Sequence, residues 1–553
     1  MNNGDSMLIL RYRNNLWLLI LLFSTIFNAP KATAQKLHLC SESQPENLSL
    51  YYKWWNLLHY TIDIQPDYQS KSIQGTNKIR FVALQEGQVV QIDLQSPMEI
   101  SHVGWNKVAL AYKRIKDAYL ITFPRKIRKG EVNSIEIIFH GKPIESHKPP
   151  FDNGWIWQKD KKNNPWISIA CEGSGASIWL PCKEVLYDEP DNGVLFNINV
   201  PDSLVAVANG RLIQKIKHRC GTTSYQWKVV SPINNYNIVA YIGKYKTWHQ
   251  NHLGKAGNLD CDFWVLNDNV NKAKLHFKQV DTMLNCFEYW LGKYPFYKDG
   301  YKIVEAPMPG MEHQSAIAYG NKFENGYNGY DISTTGWGLK WDFILVHESS
   351  HEWFGNSITS CDNSNTWLHE GFAKYMETIY TDYVFGKAAG NAYAIGTWKK
   401  IKNDEPIIGN NTSDRYYKGS AMLHIIRQII GDAKFRGWLH QLNLSFYHAT
   451  VNTEQVLDNL NKFTGQDFTK IFEQYLHTIQ VPELAYYFDK NLYYFRWTNC
   501  VANFSMPVKI QIGKERQIIL PTAKWNKITI KSSDRNTIIV DSNLYINSYR
   551  SKL

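Results

Sequence analysis

The 553-residue sequence has no C-x-x-C pair, no run of five or six basic residues, no low-complexity tract and no internal repeat. Each absence removes a class of protein. Without C-x-x-C there is no cysteine zinc ribbon and no dithiol redox motif. Without a repeat of about 20 to 50 residues there is no solenoid or propeller. Lys and Arg outnumber Asp and Glu by 61 to 50, a net charge of +11, but the excess is spread over every segment. A scattered excess solvates a surface and does not track a phosphate backbone, so no nucleic-acid partner is expected. Beyond residue 27 no apolar run is long enough to cross a bilayer, which needs roughly 20 residues.

One apolar run stands near the start. Arg11 and Arg13 precede a mostly apolar stretch from Leu16 to Phe27, and Ala32-Thr33-Ala34 follows. A basic flank, a short apolar segment and a small-x-small site form a signal-peptide pattern, with cleavage expected after Ala34. The other reading is an uncleaved anchor. Cleavage predicts an exported protein, periplasmic, secreted or on the cell surface, with no stable membrane insertion once the signal is gone. All eight cysteines (Cys40, Cys171, Cys182, Cys220, Cys261, Cys286, Cys361 and Cys500) lie past this site, so export permits disulfides without choosing among pairings.

The pattern of the remaining chain changes twice. From 35 to 248 short alternating segments, such as Tyr60-Thr61-Ile62-Asp63-Ile64 and Ser134-Ile135-Glu136-Ile137-Ile138-Phe139, stand between Gly, Pro and Asn turns. Period two predicts antiparallel sheet. Across 249–480 the period lengthens: Phe277, Val280, Leu284, Phe287 and Leu291 are spaced three and four apart, as are Met422, Ile425, Ile426 and Ile429. This predicts helix. From 481 to 553 alternation returns, in Tyr493-Tyr494-Phe495-Arg496-Trp497 and Ile518-Ile519-Leu520. The expected fold is α+β and multidomain: a signal peptide (1–34), a β-rich domain, an α-rich domain and a small terminal β domain.

The α-rich part carries the chemistry. His347-Glu348-Ser349-Ser350-His351 puts two imidazoles one helical turn apart on one face, where both reach a single ion. Nineteen positions past His351 stands Glu370, in Trp367-Leu368-His369-Glu370-Gly371-Phe372-Ala373. Catalytic zinc takes three protein ligands and keeps a fourth position for water, so His347, His351 and Glu370 are the expected set for one zinc ion per chain. Glu348, beside the ligands without being one, is placed to act as general base. The competing reading is a chance match on a solvated helix. Phe343, Ile344, Leu345 and Val346 before the motif and Trp353 and Phe354 after it point instead to a helix packed in a core.

With two further segments the sequence resembles the aminopeptidase N family, peptidase family M1. Gly310-Met311-Glu312-His313-Gln314 stands where that family carries G-x-M-E-N, and Tyr416-Tyr417-Lys418-Gly419 where it carries Y-x-K-G. The resemblance implies a saddle-like N-terminal domain, a thermolysin-like catalytic domain, a β-sandwich-like C-terminal domain and cleavage of peptides with a free N-terminus. It implies that Glu312 binds the substrate ammonium, within the substrate-binding segment of Gly310, Met311 and His313. Glu172, ten residues before Cys182, resembles a second amine-binding group, against an ordinary turn acid. Tyr416 matches the tyrosine that hydrogen-bonds the oxyanion, with Tyr417 in its place if the register slips. Glu377, seven residues after Glu370, either orients a zinc-binding imidazole or is a solvated acid.

The sequence also departs from the family. His313 replaces Asn and introduces a group expected to titrate near pH 6 to 7. His369 replaces the Asn before the third ligand. Alternation after Pro482 stands where larger members carry a long helical domain, implying a more open cleft. Two alternatives to aminopeptidase activity are an epoxide hydrolase on the same scaffold and a non-catalytic peptide-binding protein. Oligomeric state and the preferred first residue are left open.

Overall fold

The computed structural model describes residues 50–531 and 538–551. The expected signal segment lies outside the described residues.

Alternating segments become strands with one buried face. Trp55–Asp67, Ser72–Ala83, Val132–Gly141 and Glu99–Trp105 are neighbours in an eight-stranded sheet that continues on its other side through Val194–Pro201, Thr222–Val229 and Arg211–Lys217. In Ser72–Ala83 the register pairs Ile79 with Ile135 and Phe81 with Asn133, so Ile79, Phe81, Ile135, Ile137 and Phe139 point into one core. One pairing differs from the expected antiparallel pattern. Trp55–Asp67 and Val194–Pro201 run parallel, Tyr60 opposite Val194, because the long intervening chain returns to the same end of the sheet. A three-stranded and a four-stranded sheet complete this part.

Strand Tyr245–Gly254, which spans the expected boundary at 248, pairs with Gly257–Leu266 and opens a five-stranded sheet. That sheet continues through Tyr301–Glu305 and Ile317–Tyr319 to a short edge strand, Gly310–Met311. Four helices pack beside it, α1 (Gln279–Leu291), α2 (Phe343–Ser350), α3 (Trp367–Phe385) and α4 (Asp414–Ile430), and the last three line the cleft. The apolar stripes read from sequence are their buried faces: Val280, Leu284 and Phe287 on α1, Met422, Ile425 and Ile426 on α4.

Beyond residue 481 the chain forms two small sheets. Glu483–Asp489 pairs with Leu492–Thr498, and Val508–Ile512 with Glu515–Ile519. Their inward side chains Leu484, Tyr493, Trp497 and Ile510 belong to the same hydrophobic core as the helices. The N-terminal sheets have a separate core, which also takes in Val304, Met311 and Ala318 from the five-stranded sheet and Met308 from its loop. The edge strand Gly310–Met311 therefore lies where the two cores meet. Of the cysteines, Cys171, Cys182, Cys261 and Cys286 are buried free thiols, whereas Cys361 is disulfide-bonded. Among the described residues no helix is long and apolar enough to cross a membrane.

Candidate metal centre and cleft

Helix α2 is started by Asp342, whose carboxylate accepts from the Leu345 backbone N–H at 3.0 Å. Tyr319 from the sheet donates to the same Asp342 at 2.7 Å, and His276 meets it at 2.6 Å. The helix that carries His347 and Glu348 is thus fixed to the sheet at its first residue. His351 is the C-cap but keeps right-handed helical backbone, so the four-residue spacing still puts the two rings on one face.

The ring nitrogens are held on both sides. His347 Nδ1 bonds to Glu377 Oε1 at 2.9 Å, and His351 Nδ1 to the Phe354 carbonyl at 3.0 Å. Acceptors at both Nδ1 atoms leave the Nε2 lone pairs facing inward, toward each other at 3.4 Å. Glu370, in the first turn of α3, brings Oε2 to 3.6 Å from each Nε2. These three atoms form the metal-capable group among the described residues. Tetrahedral ligands at about 2.1 Å from an ion stand roughly 3.4 Å apart, so the triangle has the size that zinc requires. Glu370 Oε2 is buried and has no hydrogen-bond partner in the protein, as an atom meant for an ion would be. The residues fit the metal.

Glu377, left open between two roles, is fully buried and holds His347. Its other oxygen accepts from Lys374 Nζ at 2.6 Å and from the hydroxyl of Tyr393, on the helix Lys387–Thr397. Burial opposes charge on both His347 and Glu370. Their mutual attraction outweighs it, with Glu377 adding to the pull on His347, so the imidazole is pushed up and the Glu370 carboxyl down.

Glu348 lines the same cleft, of ≈ 650 Å³, together with Glu172, Gly310, Met311, Glu312 and Tyr416. Burial pushes its carboxyl up to about 8, opposed by His347 and reinforced by Glu312 and Glu370. Gly310 is needed for this placement: a Cβ there would stand 2.6 Å from Glu348 Oε1 and 2.7 Å from Ile344 Cδ1. Glu312 is held from below. Tyr236 donates to its Oε1 at 3.1 Å, and Asn356 Nδ2 donates to its carbonyl at 2.8 Å. Glu172 enters the cleft from the N-terminal β part and is half-buried there. Burial first, then Glu312 and Glu370, raises its proton affinity.

Tyr416 reaches the metal group because α3 and α4 cross closely at two glycines. A Cβ on Gly371 would lie 3.1 Å from the Arg415 carbonyl and 3.4 Å from Gly419. Tyr416 donates to Glu370 Oε1 at 2.6 Å. Tyr417 also lines the cleft, but the bond to Glu370 belongs to Tyr416.

His313 is not where the sequence suggested. It is fully buried below the cleft and does not line it. Tyr241 donates its hydroxyl hydrogen to the Ala316 carbonyl at 2.7 Å and so accepts from His313 Nδ1 at 2.6 Å. Burial drives the imidazole down to about 3, below the range expected from its sequence position. It is buried in a place where its bonding partner is Tyr241, 72 residues away. His369 is likewise buried, accepts from the Ser360 backbone N–H at 2.7 Å, and is pushed down to about 3. Sequence reading missed Tyr236, Lys374 and Arg415. Lys374 had a signal, three residues before Glu377 on one helix. Tyr236 had none.

A larger groove, of ≈ 1250 Å³, is lined by lysines such as Lys159, Lys244 and Lys322 and contains none of these residues. Volume alone therefore does not mark the site.

Residues 275–475 match the Peptidase family M1 domain, and residues 56–236 match the Peptidase M1 N-terminal domain. The chain belongs to peptidase family M1. It is a hydrolase acting on peptide bonds, and the cofactor supported by its family is zinc. The fold of this M1 peptidase is shared with an M1 zinc metallopeptidase from Deinococcus radiodurans at a TM-score of 0.65, 20% identity, and coverage of 78% of this chain and 96% of that one. Its sequence is 21% identical to leukotriene A-4 hydrolase of Xenopus laevis over 79% of this chain and 74% of that protein. It is also 21% identical to human endoplasmic reticulum aminopeptidase 1, over 75% of this chain but only 46% of that protein. The M1 peptidase thus spans less than half of that larger relative.

Proposed function

We propose that this M1 peptidase is an aminopeptidase with one zinc ion per chain, held by His347, His351 and Glu370, and that it removes the first residue of peptides with a free N-terminus. The observation that carries this reading is the presence, in one cleft, of a three-atom donor set with the carboxylates of Glu312 and Glu172 beside it. When bound, zinc supplies Lewis acidity, polarising a carbonyl and making water nucleophilic near neutral pH. Glu348, aimed by the bare backbone of Gly310, takes the proton of the attacking water and passes it to the leaving amine. Tyr416 turns its hydroxyl from Glu370 to the substrate carbonyl and donates to the oxygen on which charge develops. Glu312, steadied by Tyr236, accepts the substrate ammonium, with Glu172 as its second acceptor. An ammonium fixed at one distance from the catalytic groups leaves only the first peptide bond in reach. Gly310–Met311 is the edge of its sheet, and the substrate backbone lies along it as an added strand.

We also read the chain as exported, on the basic, apolar and small-x-small segments ending at Ala34. Sequencing the N-terminus of the mature protein tests this, with Gln35 expected first.

The test of activity is hydrolysis of aminoacyl reporters with free and acetylated amines, before and after chelation and zinc restoration. Cleavage of free amines only, lost and regained with zinc, is expected. Cleavage of acetylated reporters would remove the roles given to Glu312 and Glu172. A second reading, epoxide hydrolysis, is favoured by the similarity to leukotriene A-4 hydrolase. Turnover of a lipid epoxide with no aminoacyl activity would select it.

A further inference from the structure

Arg415 has no part in the chemistry above, yet it lines the same cleft as Glu172, Glu312 and Tyr416. Its guanidinium carbon stands 5.3 Å from the centre of the Tyr416 ring. Nη1 donates to Asn411 Oδ1 at 2.5 Å, while the Nε hydrogen is buried without a partner in the protein. A partly buried guanidinium ordinarily presents its fork to a carboxylate, and a buried donor left unmet is costly. The carboxylates whose fields it feels are those of Glu370 and Glu172. Glu370, however, is turned to the two imidazoles. Lys374, the other cationic side chain of the cleft, is bonded to Glu377. Arg415 lies against Tyr416 and, among the described residues, makes no ion pair with a carboxylate.

Its position says which part of a substrate it meets. This inference rests on the aminopeptidase reading, in which Tyr416 marks the carbonyl of the first residue while Glu172 and Glu312 mark its ammonium. A cation beside Tyr416, in the cleft that Glu172 and Glu312 also line, is then placed to meet the side chain of that first residue. Four carboxylates line the cleft, Glu172, Glu312, Glu348 and Glu370. Among carboxylates an anionic side chain is received only where a cation meets it. We propose that Arg415 is a specificity residue that receives the side-chain carboxylate of an N-terminal aspartate or glutamate, so that acidic first residues are the substrate class.

The test compares kcat/KM for α-glutamyl and glutaminyl reporters, which have nearly the same size and differ in charge. The wild-type enzyme is expected to favour glutamyl by about 10- to 100-fold, the range of a charge-assisted hydrogen bond. Arg415→Ala should lower that ratio by a similar factor, Arg415→Lys should restore part of it, and Arg415→Glu should shift preference toward lysyl reporters. Wild-type cleavage of glutaminyl and leucyl reporters with glutamyl no better overturns the proposal while leaving the aminopeptidase reading intact, and needs no variant to fold. A ratio unmoved in a folded Arg415→Ala protein also overturns it. Failure to cleave any reporter overturns the aminopeptidase reading and this proposal with it.

Discussion

Two buried segments, one lining the cleft and one beneath it, carry histidines that make different contacts. On α2, His347 and His351 each bond through Nδ1 to an acceptor and turn Nε2 toward Glu370. In the loop after Gly310–Met311, His313 bonds through Nδ1 to Tyr241, and its Nε2 has no partner. The residue type is the same and burial is similar. What differs is whether a carboxylate stands on the far side of the ring, and that separates a ligand from packing. Burial disfavours charge at both places; among the three rings only His347, bonded by Glu377 and facing Glu370, is pushed up.

The contrast orders the expected effects. Glu348→Gln should cut turnover at least about 1000-fold with zinc content unchanged, because it removes proton transfer and leaves the donor triangle whole. Metal analysis alongside kcat checks this, and retained activity would end the general-base assignment. Gly310→Ala should follow at about 100-fold, since its Cβ would displace the Glu348 carboxylate. If kcat is unmoved, the loop does not aim the base. Glu377→Gln should weaken zinc affinity about 10- to 100-fold by releasing His347, read in a chelator competition. Equal affinity would put Glu377 in the same structural class as Tyr241.

The smallest effect belongs to the neutral histidines. His313 is held at about 3 and His424 at about 4, both by burial, below the unfolded value of about 6.5. The unfolded chain therefore binds more protons below about pH 6.5. The stability these residues contribute is present above that pH and is lost as pH falls, by up to about 1.4 kcal/mol per pH unit for each. In urea titrations between about pH 4.5 and 6.5, His313→Asn should flatten the slope by about one proton. An unchanged slope would mean that His313 takes up a proton in the fold.

What could be read in the sequence follows from how local each feature is. The pair His347 and His351 is set by helical spacing and Glu348 by adjacency, so the donor geometry and the place of Glu348 beside it were legible. The alternating segments were equally legible, since Tyr60–Ile64 and Ser134–Phe139 lie inside strands of the first sheet. Strand Tyr301–Glu305 was not, because it is buried on both faces and its sequence does not alternate. The parallel pairing at Tyr60 and the burial of His313 depend on partners more than seventy residues away. Glu377 admitted two roles until the fold brought His347 to it. Arg415 precedes a recognised tyrosine, and nothing in its spacing marks it as a cation without a counter-ion.

The donor triangle and Glu172, one of the two groups proposed to grip the ammonium, do not come from one body. Glu172 follows Cys171 of the N-terminal core, while His347, His351 and Glu370 ride on helices of the other core, and Met311 is seated on the first beside a helix of the second. The ruler that would decide where a peptide is cut is thus a joint, with one end on each side of a seam. Its length is set by how two separately packed bodies rest against each other. A lineage could lengthen or shorten the fragment it removes by changing residues along that seam, with every ligand and acid of the reaction left in place.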